Sequence, residues 1–104
     1  MKFYFHPKAD KELLDLDKDS QETIRHFIEE FKDEGMSYEN FGRLTDESAD
    51  IDCFRLKIKQ KEPLKMNHRV IISVLGQQFV AYGVKHRNNV YAEDYIEEIK
   101  ERMY

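Results

Sequence analysis

The hydrophobic period switches from helical to two in the middle of this chain, and that change restricts the possible folds more than any other feature. Up to residue 34 the apolar residues recur at helical spacing: Ala9, Leu13 and Leu16, then Ile24, Phe27, Ile28 and Phe31. From residue 54 the period is two, with Phe54, Leu56 and Ile58 alternating with Arg55, Lys57 and Lys59. Helices therefore come first and strands later. Such segregation indicates α+β, with helices packed on a mainly antiparallel sheet, because each element must bury its one apolar face against another layer.

The remaining signals fill in that outline. Residues 2–6, "KFYFH", read as a short strand, and Pro7 suits the first turn of a helix, where its missing N–H has no partner to lose. "DKDS" interrupts the helical pattern, so Asp19 or Ser20 is expected to cap a second helix, and Gly35 stands where that helix stops. Residues 36–50 read as a loop. "IDCFRLKIK" is a half-buried strand, a polar loop containing Pro63 follows, and "HRVIISVL" and "QFVAYGVK" form a hairpin turning at Leu75-Gly76-Gln77-Gln78. Tyr95, Ile96, Ile99 and Met103 then mark a C-terminal helix. The expected order is β, α, α, β, β, β, α: a short N-terminal strand and helical hairpin on a small sheet, closed by a helix. The 104 residues suit one domain, 1–104.

Charge is divided unevenly. The chain carries −4 overall, yet residues 53–87 hold Arg55, Lys57, Lys59, Lys61, Lys65, Arg69, Lys85 and Arg87 against the single acid Glu62, a balance of +7. An acidic protein makes a poor general nucleic-acid binder, but a basic segment can still form a local site for phosphate. The octet "VKHRNNVY", residues 84–91, places Lys85, His86, Arg87 and Tyr91 where the last strand ends.

Several classes are disfavoured. No stretch approaches the roughly 18 apolar residues of a membrane span. "MKFYFHPKADKELL" lacks the apolar core and cleavage site of a signal peptide, so a cytoplasmic location is expected. Cys53 stands alone, which rules out an intrachain disulfide, and it has no recognisable His and Asp partners for thiol chemistry. No zinc-ligand spacing or glycine-rich phosphate loop occurs, and no metal or cofactor is called for.

Alternation also predicts a shared face. Arg55, Lys57 and Lys59 lie on one side of their strand, with successive cations about 6.5–7 Å apart. Arg69, Ile71 and Ser73 share one side of the next strand, and Ala81, Gly83 and Lys85 one side of the last. The small residues Ser73, Ala81 and Gly83 should leave an open floor between the cations, in a register that a one-residue slip would invert.

"HPKADKELLDL", "FGRL", "CFRLKI", "NHRVIISV" and "GVKHRNNVY", in that order, resemble the RelE/ParE superfamily of toxins over nearly the whole chain. The resemblance implies a RelE-like microbial RNase fold and a toxin held inactive by a cognate antitoxin. RelE-like members are metal-independent endoribonucleases that cut mRNA on the ribosome. ParE-like members share the fold and poison DNA gyrase. The RelE-like branch implies site positions at Arg55, Lys57, Arg69, Lys85 and Tyr91. Lys85 stands where RelE has an arginine, which keeps the charge but not the fork. Arg87 matches a nearby basic position. The longer loop "QKEPLKMN" adds Lys61 and Lys65 to Lys59 as candidate RNA contacts.

The chemistry these residues would perform is direct. RNA carries its own nucleophile, the 2′-hydroxyl, so the protein must align its attack, neutralise phosphate charge and move two protons. Arginines clamp phosphate oxygens in a bidentate way, which suits Arg69 and Arg55, with Arg87 in support. Lys57 or Tyr91 would serve as general base or acid, since crowding among cations moves a lysine or tyrosine toward neutral pH. His68 and His86 flank the cluster and could add acid–base or RNA contacts, against the plainer reading of surface histidines at a strand end. His6 and His26 belong to the helical side. Tyr91 could instead simply pack its ring at the start of a helix. Two other readings compete: a ParE-like gyrase inhibitor without catalysis, and a non-toxic relative acting only as an interaction module. The acidic helical hairpin is a candidate receiver for basic antitoxin segments.

Overall fold

The computed structural model describes residues 2–44 and 53–104. Strand β1 (Lys2–Phe5) leads into α1 (Pro7–Leu14) and α2 (Lys18–Glu34). A single 3-10 turn (Gly35–Ser37) precedes β2 (Phe41–Arg43), β3 (Phe54–Gln60), β4 (Met66–Leu75) and β5 (Gln78–His86). The chain finishes with α3 (Arg87–Val90) and α4 (Glu93–Met103). The architecture is α+β, and the sheet order is β1-β5-β4-β3-β2. Strands β2 to β5 pair antiparallel, while β1 runs parallel to β5, so the sheet is mixed.

Local chemistry explains the helix ends. Pro7 opens α1, and the His6 ring accepts the Lys8 amide proton at 3.1 Å. The cap of α2 is Asp17, not Asp19 or Ser20: its carboxylate accepts the Ser20 amide at 2.7 Å, and Ser20 is buried in the first turn. That bond holds the Asp17 carboxyl below its ordinary value. Gly35 ends α2 at φ 73°, a left-handed conformation only glycine adopts cheaply.

Part of the loop expected over residues 36–50 forms regular structure. Phe41 stacks on Phe31 with centroids 4.5 Å apart, and that packing draws residues 41–43 into the sheet as a fifth strand. A three-residue strand is too short to show a period, so the sequence pattern missed it. The start of the second expected strand, Ile51 and Asp52, lies outside the described residues, as does the rest of that loop from residue 45. The hairpin falls where it was expected, with Gly76 at φ 64° between β4 and β5.

Two cores lie on opposite faces of the sheet. The helical hairpin covers one, where Leu13, Ile24, Ile28 and Phe31 meet Leu56, Ile58, Val70, Ile72, Ala81 and Val84. Full burial of a side chain such as Phe31 is worth about 1.5–3 kcal/mol. The second, smaller core joins Ile71, Val90, Tyr95 and Ile99, and α4 covers it. Among the described residues, no helix is long and apolar enough to cross a membrane.

Candidate nucleic-acid interface

Register decides which cations meet. Lys57 pairs with Arg69, Lys59 with Asn67, and Arg55 with Ile71 across β3 and β4. On the far side Arg69 pairs with Lys85 and Ile71 with Gly83. Paired residues point to the same face, so Arg55, Lys57, Lys59, Arg69 and Lys85 all emerge on the α4 side of the sheet. The shared cationic face read from alternation is present.

Its floor is not open. A β-bulge leaves Tyr82 unpaired, so that Ile71 faces Gly83 while Ile72 faces Ala81. The extra residue inverts the strand beyond it, and Ala81 turns into the hairpin-side core. Gly83 is filled from above: a Cβ there would lie 2.2 Å from the Tyr95 hydroxyl and 2.6 Å from Ile99 Cδ1. The C-terminal helix thus sits over Gly83, and Ala81 faces away, so the expected open floor of Ser73, Ala81 and Gly83 does not form. The cations occupy the remaining part of that face, toward β2 and β3.

Each cation is held differently. Arg69 is only 5% exposed, and its Nη1 donates to Asn67 Oδ1 at 3.0 Å and to the His68 carbonyl at 2.9 Å. Its Nε has no hydrogen-bond partner. Burial lowers its pKa, the adjoining Tyr91 hydroxyl works in the opposite direction, and as an arginine it remains a cation. Arg55 donates from Nη1 to the Asn40 carbonyl at 3.0 Å and lies across Gly42, whose missing side chain makes room at 3.3 Å. Arg87, at the start of α3, is exposed and lies over the Tyr91 ring, 5.7 Å from its centroid. Lys57 is the most perturbed lysine: Arg55 first, then burial, Arg69, Lys59 and Arg87 all push its pKa down. That list of neighbours outlines the site.

Other expected residues fall elsewhere. Lys59 is exposed at the rim of the face, and Lys61 and Lys65 are exposed in the connection between β3 and β4. His68 and His86 pair with each other, their rings 5.2 Å apart and nearly perpendicular. They share parity with Val70 and Val84, so they lie on the hairpin side, opposite the cations. His86 has a structural use there, since its Nδ1 accepts the Asn88 amide proton and caps α3. Lys85 turns toward Glu12, with Nζ 3.6 Å from Oε2, and lies over the Tyr95 ring at 5.2 Å.

Sequence reasoning missed the groups that hold these cations. Asn67 stands two residues before Arg69 on the same strand face, a spacing that could have singled it out. Gly42, in an unrecognised strand, and Asn40, in the turn before it, serve Arg55. Glu12 carries no local signal at all: its carboxylate binds Arg102, 90 residues away. Among the described residues no group of three His, Cys, Asp or Glu side chains is gathered to hold a metal ion.

A chain of the crystal structure of the archaeal RelE–RelB complex from Pyrococcus horikoshii OT3 superposes on this one with a TM-score of 0.61. This chain has the RelE-like fold. The match covers 85% of this chain and 96% of that one at 21% identity. No protein-family profile and no curated protein matches the sequence. The RelE-like scaffold therefore rests on shape, and the site's chemistry on the residues described above.

Proposed function

We propose that this protein is a RelE-type toxin: a metal-independent endoribonuclease that cuts mRNA on the ribosome and is restrained by a cognate antitoxin, acting as one domain over residues 1–104. The observation that carries the reading is the grouping of Arg55, Lys57, Arg69 and Arg87 at one face of a RelE-like sheet, with Tyr91 beside Arg69 and Arg87.

Its chemistry follows from the groups present. A phosphate over Arg69 and Arg55 meets cations held by Asn67 and Asn40 rather than free to wander, so little reorganisation is needed as charge develops. The 2′-hydroxyl of the preceding nucleotide attacks phosphorus, and the bond to the 5′-oxygen breaks. The products are a 2′,3′-cyclic phosphate and a 5′-hydroxyl. One group must take the 2′ proton and another must supply a proton to the departing oxygen. Lys57, whose pKa is lowered by its cationic neighbours, is fitted to accept. Tyr91, beside Arg69 and Arg87, is fitted to donate.

Induced expression of this chain alone tests the reading. Growth arrest with new 5′ ends in ribosome-bound mRNA, mapped by primer extension, is the expected result. Full toxicity of an Arg69→Ala, Lys57→Ala double variant would refute the site assignment. An SOS response and broken DNA with intact mRNA would point to gyrase instead. Relief of arrest by a co-expressed protein that binds this chain would support the antitoxin.

A further inference from the structure

We infer that Glu12 is a positioning residue that holds Lys85 away from the phosphate-binding face, leaving Arg87 as the cation that closes it; this rests on the ribonuclease reading above. Lys85 leaves the backbone beside Arg69, so its attachment point belongs to the cationic face. Its ammonium does not stay there. It reaches the Glu12 carboxylate at 3.6 Å and lies 5.2 Å from the centre of the Tyr95 ring.

Glu12 is well suited to hold it. Its Oε1 accepts from Arg102 Nη1 at 2.8 Å, Tyr95 Oη at 2.9 Å and the Val84 amide at 3.1 Å. The Val84 bond carries on where β1 stops pairing with β5 at Ala81, so the carboxylate is fixed to the edge of the sheet itself. With its side chain 14% exposed and that of Arg102 at 5%, the Glu12–Arg102 pair lies in a partly dry setting where ion pairing is strong.

The surroundings of Lys85 also exclude phosphate. A cleft of about 290 Å³ beside it is lined by Asn89, Asp94, Tyr95 and Glu98, so an incoming anion would meet two carboxylates there. Arg87 is exposed and stacked on Tyr91, with no acid among its described ion pairs. The cations whose field weighs most on Lys57 are Arg55, Arg69, Lys59 and Arg87.

Binding of a single-stranded RNA oligonucleotide, followed by anisotropy across a KCl series, reads the difference. Arg87→Ala should weaken binding and flatten the slope of log K against log salt by about 0.7, the value for one phosphate contact on single strands. Lys85→Met should produce less than half that change. Glu12→Gln keeps an acceptor for Arg102, Tyr95 and Val84 but frees Lys85, so affinity should rise and the slope steepen, and the gain should vanish in Glu12→Gln, Lys85→Met. Damage to the fold alone would lower affinity, not raise it. Urea midpoints of the parent, Lys85→Met, Glu12→Gln and the double variant give a readout without RNA: Lys85→Met should cost less in the Glu12→Gln background than in the parent. The inference is overturned if Lys85→Met weakens binding as much as Arg87→Ala, or if the urea cycle shows no coupling. Should Glu12→Gln fail to fold, the comparison of Lys85→Met with Arg87→Ala decides. If the parent's binding is insensitive to salt and to Arg69→Ala, the ribonuclease reading falls, while the urea cycle still decides whether Glu12 holds Lys85.

Discussion

Lys57 and Arg69 stand directly opposite each other on β3 and β4, two cations side by side on one sheet face. Like charges in such a pair are destabilising. The fold accepts this by fixing Arg69 to Asn67 and the His68 carbonyl and by letting the Lys57 pKa fall. An arrangement that costs stability and concentrates positive charge is what phosphate chemistry requires.

Arg69→Ala should lower the single-turnover rate of mRNA cleavage by about 10²–10³-fold, the usual loss for one preorganised charge-stabilising donor. Arg69→Lys should recover only part of it, because a lysine cannot offer two parallel donors. Circular dichroism and a urea midpoint must accompany the rates, since the side chain is almost fully buried. Equal rates for parent and Arg69→Ala would remove this arginine from the mechanism.

With Lys57 as base, the cleavage rate should rise with pH and level off below 10.5, the ordinary lysine value. The sign follows from the role: the base must be unprotonated, so activity is lost as pH falls through its lowered pKa. Lys57→Arg stays protonated and should lose that rising limb. A limb that survives in Lys57→Ala and disappears in Tyr91→Phe would exchange the two roles.

Gly83→Ala is expected to destabilise by about 1–3 kcal/mol, the range for overpacking a core, although alanine normally suits a strand better than glycine. The new methyl would displace the Tyr95 hydroxyl and Ile99 from the sheet. Tyr95→Phe in the same chain removes the nearer of the two obstacles and should restore part of the thermal midpoint. Calorimetry of the parent and the two variants measures this.

Acid should weaken the fold through His68. Burial and then the charge of His86 depress its pKa, Arg69 adds to this, and Asp17 opposes it. The unfolded chain therefore binds the proton more readily, so this contribution is intact above the ordinary value of 6.5 and is lost as pH falls through it toward the folded value. Urea midpoints should drop less for His68→Gln than for the parent between about pH 7 and about pH 5. Parallel drops would show that His68 is not the group responsible.

The amino-acid sequence by itself determined the elements and the cationic strand face. Helical and two-residue periods follow from backbone geometry, so Ile24 to Phe31 and Phe54 to Lys59 announce their structures locally, and Gly35 and Gly76 mark real ends. What lay beyond reach depended on contacts between distant residues. The bulge at Tyr82 turns Ala81 to the other face, and no local pattern encodes one extra residue in a ladder. Strand β2 forms because Phe41 finds Phe31 and because Gly42 admits Arg55. Glu12 meets Arg102 and Lys85 only after the chain has closed on itself, and that meeting turns Lys85 aside from the cations it accompanies in sequence. Periodicity reports which way a side chain leaves the backbone; only tertiary packing decides where its charge comes to rest.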